Sequence, residues 1–232
     1  MKRAFPILAI VTAVLLSWGL YQALVVAPTE QTMGDVQRIF YYHVPSAWTA
    51  FLLFFVNLIA SIVYLASRNA KADALAVAAA EVGVVFCTVV LVTGPIWARP
   101  VWGIWWTWDL RLTLTLVLWL IYVSYLMLRR FSTSGQTPLI AAVLAVFGAL
   151  DVPLVYFSIW FFRTQHPQPV IGGGGSIDSH MLHALLINWL AFSCFALLVC
   201  WSRYNLEILR REVDETLALE ALLEGGVPRG GR

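Results

Sequence analysis

The stretch WARPVWGIWWTWD, Trp97 to Asp109, holds five of the chain's 11 tryptophans. Apolar sequence lies on both sides of it. Residues 74–98 carry one charge, Glu81, and residues 112–128 carry none. A helix needs about 20 apolar residues to cross the hydrocarbon core of a bilayer, so both flanks read as membrane spans and the tryptophan segment as their link. Four more spans follow from the same rule. They are 5–27, 47–66, 138–162 with Asp151 inside it, and 181–201 with His183 as its ionisable group. Their Ala/Val/Leu content without turn signals argues for helices over barrel strands. The first run is long for a signal-peptide core and lacks a clear small-x-small cleavage site, so it counts as a membrane helix. The expected fold is all-α, a polytopic membrane protein with six transmembrane helices.

Composition supports this. The 232 residues are 60% hydrophobic and 12% charged, with mean hydropathy +0.79, where a soluble domain carries about 25% charge. A net charge of +2 without a basic stripe or a glycine-rich phosphate loop excludes nucleic acid and nucleotides as expected ligands. Cys87, Cys194 and Cys200 fall in apolar runs without CxxC spacing and read as small buried residues.

Positive charge sets the direction. With the N-terminus in the cytoplasm, 11 of the 15 Lys and Arg residues lie inside, and Arg38, Arg99, Arg111 and Arg163 lie outside. Both termini are then cytoplasmic. Loops 28–46, 99–111 and 163–180 face outward, and with them come the tryptophan segment and all four histidines, His43, His166, His180 and His183. The chain divides into a six-helix membrane domain, 1–201, with its tryptophan-rich segment at 97–113, and a cytoplasmic tail, 202–232. Leu206, Leu209, Val213, Leu217 and Leu219 make that tail amphipathic. No internal repeat points to an inverted-topology transporter.

An aromatic belt at headgroup level is the plain explanation of the tryptophans, but a belt supplies one or two rings per helix end. If 101–109 is a short interfacial helix, with Pro100 in its first turn, then Trp102, Trp105, Trp106 and Asp109 share one face at i, i+3, i+4 and i+7. Such a face is an indole platform on the outer surface, suited to a large planar apolar ligand. His43 and His166 bracket the platform in sequence. Neutral imidazole is a common axial ligand of haem iron, although a lone histidine is more often structural. His180 and His183, one helical turn apart, could bind zinc or copper but lack a third ligand with suitable spacing. Arg38 and Arg111 are candidates for binding haem propionates, and Arg38 is the better one, since Arg111 has Asp109 as a simpler partner. Gly172 to Gly175 make either a hinge for the loop or a spacer. Glu81 and Asp151 within spans are proton-relay groups or, more simply, partners of neighbouring helices through Asn57 or Asn188.

The run Trp102 to Thr113, WGIWWTWDLRLT, resembles the tryptophan-rich (WWD) signature of the haem-handling proteins of cytochrome c maturation. Within them the chain is similar to the cytochrome c maturation protein C family. The likeness runs through Arg38 to Trp48 with its Tyr-x-His-Val-Pro core, Leu91 to Thr113 and Asp151 to His166, with a weaker echo at Ser176 to Asp178. Larger relatives that ligate haem to cytochromes have many more spans. The resemblance implies a multi-pass protein of the bacterial cytoplasmic (inner) membrane. Such a protein binds haem b at the outer face and presents it to a small membrane-anchored periplasmic haem chaperone. ATP-binding transporter subunits and a small membrane subunit serve the same pathway. The resemblance also implies His43 and His166 as axial ligands of the iron, and Trp102, Trp105, Trp106, Trp108, Asp109 and Arg111 as the haem-contacting segment. His180 and His183 match no family ligand. Asp151 stands where relatives often have Asn and receives no family role. Two other readings stay open, a haem permease and an electron-transfer membrane cytochrome. A permease needs a polar path through the bilayer, and the spans offer few polar groups. A cytochrome usually buries paired histidines deep in its spans.

Overall fold

The computed structural model describes residues 4–162, 164–167 and 177–225. Arg163, the run Gly172 to Gly175 and the basic residues at 2, 3, 229 and 232 therefore lie outside the described residues. Among the described residues there is no strand, only an isolated bridge between Glu30 and Gly34. The helices are α1 (Ala4–Tyr21), α2 (Phe40–Ser67), α3 (Ala70–Trp102), α4 (Leu110–Phe131), α5 (Thr137–Ala149), α6 (Asp151–Phe161) and α7 (Ser179–Gly225). A π-helical turn, Gln22–Val26, extends α1, and a 3-10 turn, Asp35–Ile39, leads into α2. Counting α5 with α6, six segments are long and apolar enough to cross a membrane.

Three boundaries differ from the hydropathy reading, each for a local reason. Helix α2 starts at Phe40, so His43 sits in its first turns and not in a loop. The fifth span is two helices, broken at Leu150, just before Asp151 and Pro153. The sixth does not stop where charge begins, because α7 runs through Trp201 into the polar tail without interruption. Residues such as Glu, Arg and Leu favour helix in water as well as in lipid, so the change in composition does not mark a helix end.

The tryptophan segment departs most. It forms no helix of its own. Helix α3 carries on through Pro95 and Pro100 to Trp102 and ends at Gly103, whose φ of 78° lies in the left-handed region that favours glycine. Residues 103–105 bend and 106–109 are irregular. The four-residue face expected from the spacing is therefore absent.

Close helix approach holds the bundle together. Helices α2 and α3 pack over Gly83, where an added Cβ would lie 2.7 Å from Phe54 Cε1. Phe54 stacks on Tyr122 of α4 with ring centroids 3.9 Å apart. Helix α1 packs on α7 at Gly19, whose carbonyl accepts a hydrogen bond from Asn188 Nδ2 at 3.0 Å. Away from the tryptophan segment, Asp73 of α3 binds Arg129 of α4 at 2.6 and 2.8 Å and Arg211 of α7 at 2.7 Å. Glu81 is paired as well, with Arg203 at 2.7 and 3.0 Å, so its partner is a cation and not Asn57 or Asn188. Asn57 instead donates to the Ala76 carbonyl.

Candidate functional site

A cavity of about 960 Å³ opens at the end of the bundle that carries the tryptophan segment. Its walls come from α2, α3, the start of α4 and α6, and loop residues 28–33 and 165–167 contribute to its rim. The lining is mainly apolar and aromatic, and the volume matches sites for large ligands, which span about 300–1,000 Å³.

Residues 50 positions apart fix one side of this cavity. His43 is 7% exposed and lines it from α2. Its Nδ1 lies 2.8 Å from Thr93 Oγ1 on α3. The Thr93 hydroxyl donates to the Val89 carbonyl at 2.7 Å, so its single proton is committed. It therefore accepts from His43 Nδ1–H, and the lone pair of the ring falls on Nε2. The ring also meets the edge of Trp97, with centroids 5.9 Å apart and planes at 70°.

His166 lines the cavity from the loop after α6. Its Nδ1 is 3.0 Å from the Pro167 carbonyl. A carbonyl only accepts, so Nδ1 carries the proton here too and Nε2 holds the free lone pair. Burial and the Arg111 guanidinium push its pKa down to about 4, against smaller opposing effects of the Pro167 carbonyl and Asp109. A lowered pKa keeps the neutral, lone-pair form at pH values where an ordinary imidazole, with a pKa of about 6.5, is mostly charged. His166 is therefore expected to stay uncharged at pH 5 in the ligand-free protein and to take up its proton only as pH falls through about 4. A ring nitrogen-15 NMR titration of the ligand-free protein checks this. Protonation near pH 6.5 would show an unperturbed ring.

Arg111 lines the same cavity, and its Nη1 is buried without a hydrogen-bond partner among the described residues. The indole N–H groups of Trp97 and Trp106 are in the same condition. Buried donors without partners are costly. All three are donors, so a ligand that fits must bring acceptors. The arrangement thus suits a large apolar molecule with carboxylate oxygens and a metal centre open to two imidazoles, which is the chemistry of haem.

The other expected site residues divide. Trp102 and Trp106 line the cavity, whereas Trp105 and Trp108 do not and are 59% and 76% exposed. Asp109 does not touch the cavity. Its carboxylate caps α4 by accepting from Leu112 N at 3.0 Å, and it also accepts from Thr107 Oγ1 at 3.3 Å. Arg38 lies away from the lining. Its guanidinium donates to the carbonyls of Ala23 and Ala27 and pairs with Asp35 at 3.1 Å, which ties the π-helical turn to the start of α2. His180 and His183 are exposed and outside the lining, and no group of three or more potential metal ligands occurs among the described residues. Asp151 is buried, and its Oδ2 has no hydrogen-bond partner there. Thr93, Gly94 and Trp97 are additions. Position was a signal for the last two only, since 90, 94, 97 and 101 recur on one face of α3.

Fold and site together define a polytopic helical membrane protein with an aromatic cavity at one end, flanked by two histidines. Residues 1–219 match the family described as heme exporter protein C, and the chain belongs to that family. It is 37% identical over 222 residues to heme exporter protein C of Bradyrhizobium diazoefficiens, covering 94% of this chain and 84% of that protein. It is 31% identical over 222 residues to heme exporter protein C of Escherichia coli, covering 95% and 90%. A putative cytochrome c biosynthesis ccmC-like mitochondrial protein of Marchantia polymorpha is 32% identical over 179 residues, covering 77% and 76%.

Proposed function

We propose that this protein handles haem for cytochrome c maturation. It holds haem b at the outer face of a bacterial cytoplasmic membrane and presents it for attachment to a membrane-anchored periplasmic chaperone. The observation that carries this reading is the pair of imidazoles, His43 and His166, each engaged through Nδ1, at one aromatic cavity beside the unpartnered Nη1 of Arg111. His43 and His166 would each supply an imidazole nitrogen to the iron, a ligand pair that would suit holding and transfer more than oxygen chemistry. Trp97, Trp102 and Trp106 enclose the macrocycle, and Arg111 binds a propionate. The reactivity belongs to the porphyrin, while the protein positions its edge. Orientation rests on Lys and Arg: among the described residues, Arg68, Lys71, Arg129, Arg130, Arg203, Arg210 and Arg211 all lie outside the cavity lining, in the segments assigned to the cytoplasm. ATP-binding subunits and a small membrane subunit complete the proposed assembly.

Arg111→Gln keeps a polar side chain but removes the charge. A hydrogen bond to a charged group contributes about 1.5–3 kcal/mol, so haem affinity is expected to fall roughly 10- to 100-fold. Arg111→Lys, which keeps the charge and loses the fork, should fall between. Haem titration of the purified variants measures both, and an Arg111→Gln affinity equal to wild type would remove the propionate assignment.

The test of function is capture. Wild-type protein purified from membranes is expected to retain a small haem-loaded membrane-anchored partner. Absence of such a partner, together with haem flux into vesicles containing only this protein, would instead make it a permease.

A further inference from the structure

We propose that Thr93 fixes His43 as the retained axial ligand of the iron, which leaves His166 as the ligand that is exchanged when the cargo is handed on. The inference rests on the haem reading above and concerns the unequal anchorage of the two imidazoles.

One turn of α3 holds His43 on several sides. The Thr93 hydroxyl accepts from Nδ1 at 2.8 Å. That hydroxyl is itself locked by its bond to Val89 O, four residues back on the same helix. Gly94 leaves room beside the ring, since a Cβ there would lie 3.4 Å from His43 Cε1, the carbon next to Nε2. Trp97 closes the edge. The ring thus has its tautomer, its direction and its base fixed by a second helix. A hydrogen bond of this kind raises the basicity of the opposite nitrogen and strengthens it as a ligand.

His166 is held differently. Its Nδ1 bond goes to the carbonyl of Pro167, the next residue. That bond sets the tautomer but ties the ring only to its own loop, so ring and acceptor move together. The residue is also partly exposed, where His43 is buried. A partner that brings its own ligand to the iron meets the loop-borne imidazole first, and replacing it breaks no ring hydrogen bond to a helix among the described residues.

Carbon monoxide separates the two ligands, because on ferrous haem it takes one axial position and reports on the group opposite. With full-length haem-loaded protein in detergent, wild type and His166→Ala are expected to give the same iron–carbon and carbon–oxygen stretching frequencies by resonance Raman, with His43 opposite in both. Thr93→Val should shift that pair of frequencies and weaken haem binding by about 10- to 100-fold, and Thr93→Ser should restore both. A His43→Ala adduct identical to wild type, or a Thr93→Val adduct that does not move, overturns the proposal. Ring nitrogen-15 NMR of the haem-free protein supplies a second reading that needs no haem. Wild type and Thr93→Ser should show His43 with protonated Nδ1 and bare Nε2, while Thr93→Val shows mixed tautomers. Unchanged tautomer in Thr93→Val overturns the anchoring role even if haem binds. A wild-type protein that takes up no haem overturns the ligand assignment together with the haem reading, whatever the NMR gives.

Discussion

Asp73→Ala is expected to destabilise the bundle by about 3–5 kcal/mol, the usual effect of removing one partner from a buried ion pair. The Asp73 side chain is 3% exposed and lies between Arg129 and Arg211, which are 12% and 25% exposed. One carboxylate therefore joins the start of α3 to the end of α4 and to the polar extension of α7. Without it, two guanidinium groups stay together in a poorly hydrated place and repel each other. Their replacement acceptors are few, although Arg211 keeps Glu207 at 2.8 Å and the Ala70 carbonyl at 3.1 Å. The melting temperature in detergent should fall by on the order of 10 °C. Asp73→Asn should lose nearly as much, because the amide keeps the volume and not the charge. The Glu81–Arg203 pair is the internal comparison. Its side chains are 31% and 42% exposed and less enclosed than Asp73, so Arg203→Ala should cost clearly less than Asp73→Ala. Equal losses at the two sites would show that burial is not what makes Asp73 important.

His43→Ala is expected to abolish stable haem retention while leaving the fold intact. The imidazole borders a cavity and is not packed among core side chains on all sides, so its removal enlarges an existing space. Changes to groups that merely support a metal ligand cost about 10- to 100-fold in affinity, and loss of the ligand itself should exceed the upper end of that range. Purified His43→Ala should therefore show little Soret absorbance, while the haem-free protein still unfolds cooperatively and loses only about 1 kcal/mol with the Thr93 bond. Added free imidazole can enter the vacated volume and should restore part of the band. A Soret band of wild-type position and strength in His43→Ala would remove His43 from the iron.

Much of this architecture was legible in the sequence, because a membrane span is a demand on about 20 consecutive residues and needs no knowledge of the partner. Six segments follow from that alone, and so does the common end shared by His43, the tryptophans and His166. What failed was finer. The i, i+3, i+4, i+7 spacing of Trp102 to Asp109 suggested a helix, but Gly103 at positive φ ends one there, and Asp109 begins another as its cap. Periodicity says which residues would share a face if a helix formed, and says nothing of whether a glycine stops it. Arg38 looked like a free outer cation because its acceptors, the carbonyls of Ala23 and Ala27, are backbone atoms that no sequence pattern displays. Thr93 was unreadable for a related reason. It is an ordinary threonine within an apolar run, and its meaning comes from an imidazole 50 residues earlier. Arg111 was visible as a charge, while its lack of a partner is a property of the packed structure.

On the proposed reading His43 and His166 bind one haem iron together, and electron paramagnetic resonance of the ferric haem-loaded protein reads that ligation. The structure predicts a low-spin, six-coordinate signal of the bis-imidazole type in wild type, lost from both His43→Ala and His166→Ala. A high-spin signal in wild type, or a low-spin signal that survives both substitutions unchanged, would contradict it.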